Sequence, residues 1–168
     1  MMEYNGHKIW KLQILWGKRR GVIFVPSEQK VFLERGEIII LSIPENSTKK
    51  QREDFLRASL KKVLHEQIQK QMPKWEQATG LKCSNWFIGK NKKAWGWCRQ
   101  RDRKIMLNQN LVYKPKECLD YVILHELCHL AQANHGPNFA ALLNKYMPNW
   151  RELETLNNGA LPAYSKYE

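Results

Sequence analysis

Three residues at fixed spacing set the chemistry this chain can do. His125, Glu126 and His129 form H-E-x-x-H, written out as His125-Glu126-Leu127-Cys128-His129. On a helix, residues four apart share a face, with Cβ atoms about 5–6 Å apart. Two imidazoles placed so can grip one zinc ion, which takes nitrogen ligands at about 2.0–2.1 Å. Glu126 stands one position round from His125, beside the metal-bound water instead of on the metal. A five-letter motif with three fixed letters matches unrelated helices by chance, so a third ligand matters. His135 supplies it: three of the five histidines fall within eleven residues. Asn134, just before it, tolerates left-handed backbone, so the chain can turn back and present that imidazole to the same ion. Three protein ligands and one open position is the pattern of a catalytic zinc. The expectation is therefore one Zn2+ per chain, held by His125, His129 and His135, with Glu126 as general base.

These residues need a helix to carry them, and the pattern predicts one over 116–133. Pro115 suits its first position. Leu119, Ile123, Leu127 and Leu130 fall on one arc, with the two histidines well away from it. Asn134-His135-Gly136 is expected to break the helix. Pro137 opens another through about Tyr146, and Pro148 stops it. Upstream, residues 1–45 are β-rich, with strands near 8–16, 21–25, 31–33 and 37–43, three or four of them antiparallel. Asn46-Ser47-Thr48 offers N-cap chemistry. A long amphipathic helix is expected over 49–72, ended or kinked at Pro73. Residues 83–88 and 93–98 read as a hairpin around Gly89-Lys90-Asn91, and 104–107 as one more strand. The tail from Arg151 is expected to be loose, 157–168 above all.

The 168 residues suit one domain with a real core, and 43% are hydrophobic. Lys and Arg number 28 against 16 Asp and Glu, a formal charge of +12. That balance favours anionic partners, nucleic acid first among them. Between 86 and 104, Trp86, Phe87, Trp95 and Trp97 interleave with lysines and arginines. Such a run suits stacking on bases, and equally a sheet with an aromatic inner face and a charged outer one. The cysteines Cys83, Cys98, Cys118 and Cys128 form no C-x-x-C, and all four are expected to be reduced. Neither a signal-type apolar run nor a run of about 18 or more apolar residues occurs. A soluble, cytoplasmic protein without a membrane span is the expectation.

The histidine count matches that of the metzincins, but Gln132 stands where those carry glycine. A closer likeness runs from Trp95-Gly96 through Ile105-Met106-Leu107-Asn108, Leu111 and Pro115. It continues through the stretch Tyr121 to Leu130, then Asn134-His135-Gly136-Pro137-Asn138-Phe139, and ends at Pro148. On these residues the chain resembles the YgjP-like metallopeptidases. His135-Gly136-Pro137-Asn138-Phe139 is also similar to the H-G-x-x-F element of SprT-like proteases, whose histidine is the third zinc ligand. The likeness covers about 95–156, the expected zinc-binding core. It implies an α+β, gluzincin-like minimal zincin: a small curved antiparallel sheet packed on a backing helix and an H-E-x-x-H helix. It further implies a peptide or protein substrate and, by the SprT-like side, proteins associated with DNA. In one place the chain departs from the family: Trp97 stands where W-G-S-C would put a small residue.

The expected reaction is peptide-bond hydrolysis, zinc acidifying its water and Glu126 taking the proton. Tyr146 and Arg99 are candidate second donors to the oxyanion. Two rival readings remain. One is a zinc-dependent hydrolase of a nucleotide or other non-peptide substrate. The other is a nucleic-acid-binding module whose zinc is structural.

Overall fold

The computed structural model describes residues 3–159. The chain is α+β, and its first five strands form one sheet: β1 (Glu3–Tyr4), β2 (His7–Leu15), β3 (Lys18–Pro26), β4 (Val31–Arg35) and β5 (Ile38–Ile43). Strands β2 and β3 form a hairpin whose two turn residues, Trp16 and Gly17, both have positive φ, 51° and 74°. That pair of conformations matches the right-handed twist of the flanking strands. The sheet order is β1-β2-β3-β5-β4, and β3 and β5 run parallel. This corrects the all-antiparallel expectation. Burial explains the order: β5 is buried along most of its length and takes the interior slot, while the largely exposed β4 takes the edge.

Helix α1 (Lys49–Thr79) follows. Thr48 caps it with a capping box: Gln51 N–H donates to the Thr48 hydroxyl (3.2 Å) and Thr48 N–H to the Gln51 side chain (2.8 Å). Leu56, Leu60, Leu64, Ile68 and Met72 recur every fourth residue and are buried. The helix does not end at Pro73 but continues to Thr79 and closes at Gly80, whose φ is 73°. Tertiary contacts hold that extension. Trp75 Nε1 donates to Asp120 Oδ1 (2.9 Å), and the Cys83 N–H donates to Glu76 Oε1 (3.0 Å).

The second sheet holds β6 (Asn85–Gly89), β7 (Gly96–Arg99) and β8 (Lys104–Asn108) in the order β6-β8-β7. Here the hairpin expectation fails. β6 and β7 do not pair; β8 lies between them, parallel to β6 and antiparallel to β7. Ile105 and Leu107 on β8 are wholly buried, so the most apolar strand again takes the centre.

Three α-helices complete the described residues: α2 (Lys116–Cys128), α3 (Pro137–Tyr146) and α4 (Trp150–Asn158). Pro115 is the N-cap of α2 and Pro137 opens α3. Helix α2 ends about one turn sooner than its pattern suggests. Residues 150–158 are helical, so Asn157 and Asn158 are not loose; 160–168 lie outside the described residues. One core cluster joins both sheets to α1 and α2, through Leu15, Ile39, Leu41, Leu64, Ile105 and Ile123. No helix among the described residues is long and apolar enough to cross a membrane.

Candidate metal centre

The buried side of α2 is fixed by Leu119, Ile123 and Leu127, all wholly buried. That packing turns His125 and His129 toward a cleft of about 760 Å³. His129 is the C-cap of α2, and the backbone tightens immediately after it. Leu130 N–H donates to Leu127 O (2.9 Å) and Ala131 N–H to Cys128 O (3.0 Å), both three-residue steps. The His129 ring joins in, its Nδ1 lying 3.0 Å from Gln132 O. The chain thus folds back to His135 without a left-handed residue: Asn134 has no positive φ, contrary to the sequence expectation.

The three rings converge. Their Nε2 atoms are 3.2 Å apart for His125 and His129, 3.0 Å for His129 and His135, and 3.1 Å for His135 and His125. Phe139, on the first turn of α3, lies against all three, with centroid distances of 4.9, 4.6 and 4.9 Å. It is 3% exposed and forms an apolar floor.

The donor chemistry fits a cation. A carbonyl oxygen only accepts, so His129 Nδ1 must carry the proton toward Gln132 O, and its Nε2 keeps a lone pair. Tyr121 O–H donates to Glu154 Oε1 (3.1 Å), and the same oxygen lies 3.2 Å from His125 Nδ1. With its hydrogen spent on Glu154, the Tyr121 oxygen accepts from His125 Nδ1–H, which leaves that Nε2 bare as well. Lone pairs at about 3.1 Å repel unless a positive charge sits among them. A tetrahedral ion with bonds of about 2.0–2.1 Å would set its nitrogens about 3.3–3.4 Å apart. The observed triangle is within a few tenths of an ångström of that. Burial, then His129 and His135, push His125 down to about 3; burial lowers His129 too. Both rings are neutral at pH 7, as metal ligation requires.

Glu126 lines the same cleft and is 5% exposed. Burial alone pushes its carboxyl up to about 8, and a cation held by the three histidines beside it would favour the ionised form that a general base needs. Strand β7 accommodates it through Gly96: a Cβ there would stand 2.8 Å from Glu126 Oε1 and 2.9 Å from its Cγ. Among the described residues, the three histidines are the one group of potential metal ligands. Cys128 is wholly buried in the core.

Of the expected oxyanion donors, Arg99 lines the cleft, but Asp102 holds it through Nε (2.8 Å) and a second nitrogen (2.6 Å). Tyr146 is not among the residues lining the cleft. In the sequence, Gly96, Tyr121 and Phe139 stand within the family likeness without a role of their own, and Glu154 stands outside every motif. The spacing of Tyr121, one turn before His125, was the available signal. Glu154 gave none, because its contact spans 33 residues.

Comparison with known proteins follows the same line. The family model of the YgjP-like metallopeptidase domain matches residues 3–158. Among solved structures, the metallopeptidase zymogen abylysin of Pyrococcus abyssi is similar over 52% of this chain and 88% of its own, at 20% identity and a TM-score of 0.48. The metallopeptidase zymogen jannalysin of Methanocaldococcus jannaschii is similar over 52% and 89%, at 27% identity and a TM-score of 0.46. No curated protein matches.

Proposed function

The chain belongs to the YgjP-like metallopeptidase family, and on that premise we propose that it is a zinc-dependent peptidase in which His125, His129 and His135 hold one zinc ion and Glu126 is the general base. Membership makes it a metallopeptidase, with a metal cofactor and proteins or peptides as substrates. The finer assignment rests on one observation: three imidazole Nε2 atoms face one another at 3.0–3.2 Å.

When bound, zinc supplies Lewis acidity and a water made acidic enough to lose its proton near pH 7. The chain's residues do the rest. Glu126 takes the proton from the attacking water and passes it to the leaving amine nitrogen. Its burial beside Gly96 keeps bulk water from competing for that proton. Tyr121 and Gln132 hold the rings of His125 and His129 in one tautomer and one orientation. Strand β7 is the edge of its sheet and borders the cleft, so its free backbone groups suit an extended peptide.

A structural zinc would need a fourth protein ligand, and no cysteine or carboxylate joins the histidine group among the described residues. That favours an open, catalytic site. The net charge of +12 supports, as the finer reading of the substrate, proteins associated with nucleic acid.

The test pairs metal content with turnover. Glu126→Gln retains zinc and lowers kcat by about 10²–10⁴-fold; His129→Ala loses both. Undiminished peptide cleavage by Glu126→Gln rejects the mechanism. Chelator-sensitive hydrolysis of nucleotides but not peptides rejects the substrate class.

A further inference from the structure

The second sheet has two unlike faces. Ile105 and Leu107 point into the core. On the opposite face, Phe87 and Trp97 flank Met106 in register, one from each neighbouring strand. The next row holds Asn85, Lys104 and Arg99. Phe87 is 37% exposed, and the two rings cover Met106 so well that it is 2% exposed. A Cβ at Gly89 would stand 2.8 Å from Met106 Cγ, so the patch is closely packed. Trp97 and Arg99 also line the cleft, which makes this face continuous with the candidate site.

The segment that carries the patch is strongly basic. Residues 80–108 carry eight lysines and arginines against Asp102 alone, and Arg99 already holds Asp102. We propose that this face, centred on Phe87, Met106 and Trp97 and flanked by Lys104, is an exosite for an acidic segment of the substrate polypeptide that also bears apolar side chains.

Ring geometry favours polypeptide over nucleic acid. The rings meet edge to face, at 5.6 Å and 72°. Lys104 Nζ lies 5.5 Å from the Phe87 centroid, and the Arg99 guanidinium lies 5.9 Å from that of Trp97. Base stacking needs an open ring face, and here cations stand over the faces. What remains available is apolar edge beside positive charge, which suits leucine or phenylalanine next to aspartate or glutamate.

This inference rests on the peptidase reading, but binding can be measured apart from cleavage. The probe is a fluorescein-labelled peptide of Asp, Glu, Leu and Phe, presented to full-length zinc-loaded Glu126→Gln protein. Controls are its Asn/Gln counterpart and an oligothymidylate. The acidic peptide is expected to bind about tenfold tighter than the neutral one, with an affinity that falls as salt rises. Phe87→Ser combined with Lys104→Glu weakens it about tenfold. Lys104→Gln, a milder change on the surface, weakens it in the same direction, and a thermal melt confirms that both variants fold. Equal binding of acidic and neutral peptides, or folded variants that bind as before, overturns the proposal. So does an oligothymidylate that binds tighter than the acidic peptide and is lost in the same variants. In the active protein, Lys104→Gln raises KM for a substrate carrying the acidic segment and spares a short one without it. If neither substrate is cleaved, the peptidase reading has failed, while the binding result still decides the exosite.

Discussion

At the scale of single residues, a glycine decides how Glu126, the proposed base, is placed. Gly96 lets the Glu126 carboxylate lie directly against β7, where a methyl group would stand 2.8 Å from Oε1. Displacement of about 1 Å at a reacting group costs on the order of 10²-fold in rate. Gly96→Ala is therefore expected to lower kcat by about 10–100-fold while leaving the zinc content unchanged; full activity in that variant would show that Glu126 is not held by this contact. The histidines and Glu126 were legible in the sequence because helix periodicity alone brings positions 125 and 129 to one face. His135 was legible from the count of histidines and the H-G-x-x-F likeness and not from any helical spacing, since the loop that returns it depends on Gln132 O and the tightened turn after Cys128. The floor under the rings shows why a phenylalanine stands four residues after His135: one ring on the first turn of α3 touches all three imidazoles.

At the scale of elements, α1 and α2 are joined by a buried polar contact, Trp75 Nε1 to Asp120 Oδ1. Burial raises the Asp120 carboxyl above its usual range, against the lowering effect of the Trp75 hydrogen bond. A raised carboxyl pKa means that the folded chain binds more protons than the unfolded one between 3.8 and the raised value. Stability from this group therefore falls as pH rises through that window. Asp120→Asn keeps the carbonyl acceptor for Trp75 and removes the titration. Denaturant melts from pH 3.5 upward should show the wild type losing stability relative to Asp120→Asn; parallel curves would contradict this. Helix α1 was readable in the sequence from its cap and its i, i+4 apolar positions. Its length was not, because the turns after Pro73 depend on Asp120 and Cys83, contacts made after the chain has reversed. The same holds for α2, whose apolar arc ran on past Cys128 into a turn that imidazole bonding closes early.

At the scale of the whole molecule, residues 112–114 clamp the β2–β3 turn and the end of α4. Trp16 N–H donates to Val112 O (2.9 Å) and Gly17 N–H to Tyr113 O (3.2 Å). Lys114, 4% exposed, donates through Nζ to Leu156 O (3.2 Å) and Gly159 O (2.8 Å), satisfying carbonyls at the end of α4. Helix α4 in turn carries Glu154, behind Tyr121 and His125. Lys114→Met keeps the packing on Trp95 but loses both bonds, and should destabilise the protein by about 1–3 kcal/mol in urea unfolding; an unchanged midpoint would contradict the clamp. Strand order was the least legible feature. Hydrophobic alternation marks a strand, but β3 beside β5 and β8 between β6 and β7 follow from which strand buries most, a comparison across the whole sheet. The central claim is a single ion held by three imidazoles with one position left open. X-ray absorption of the zinc-loaded protein tests it most directly. The account predicts three imidazole nitrogens at about 2.0–2.1 Å and a light oxygen scatterer completing the shell; sulfur at about 2.3 Å, or only two imidazoles, would contradict it.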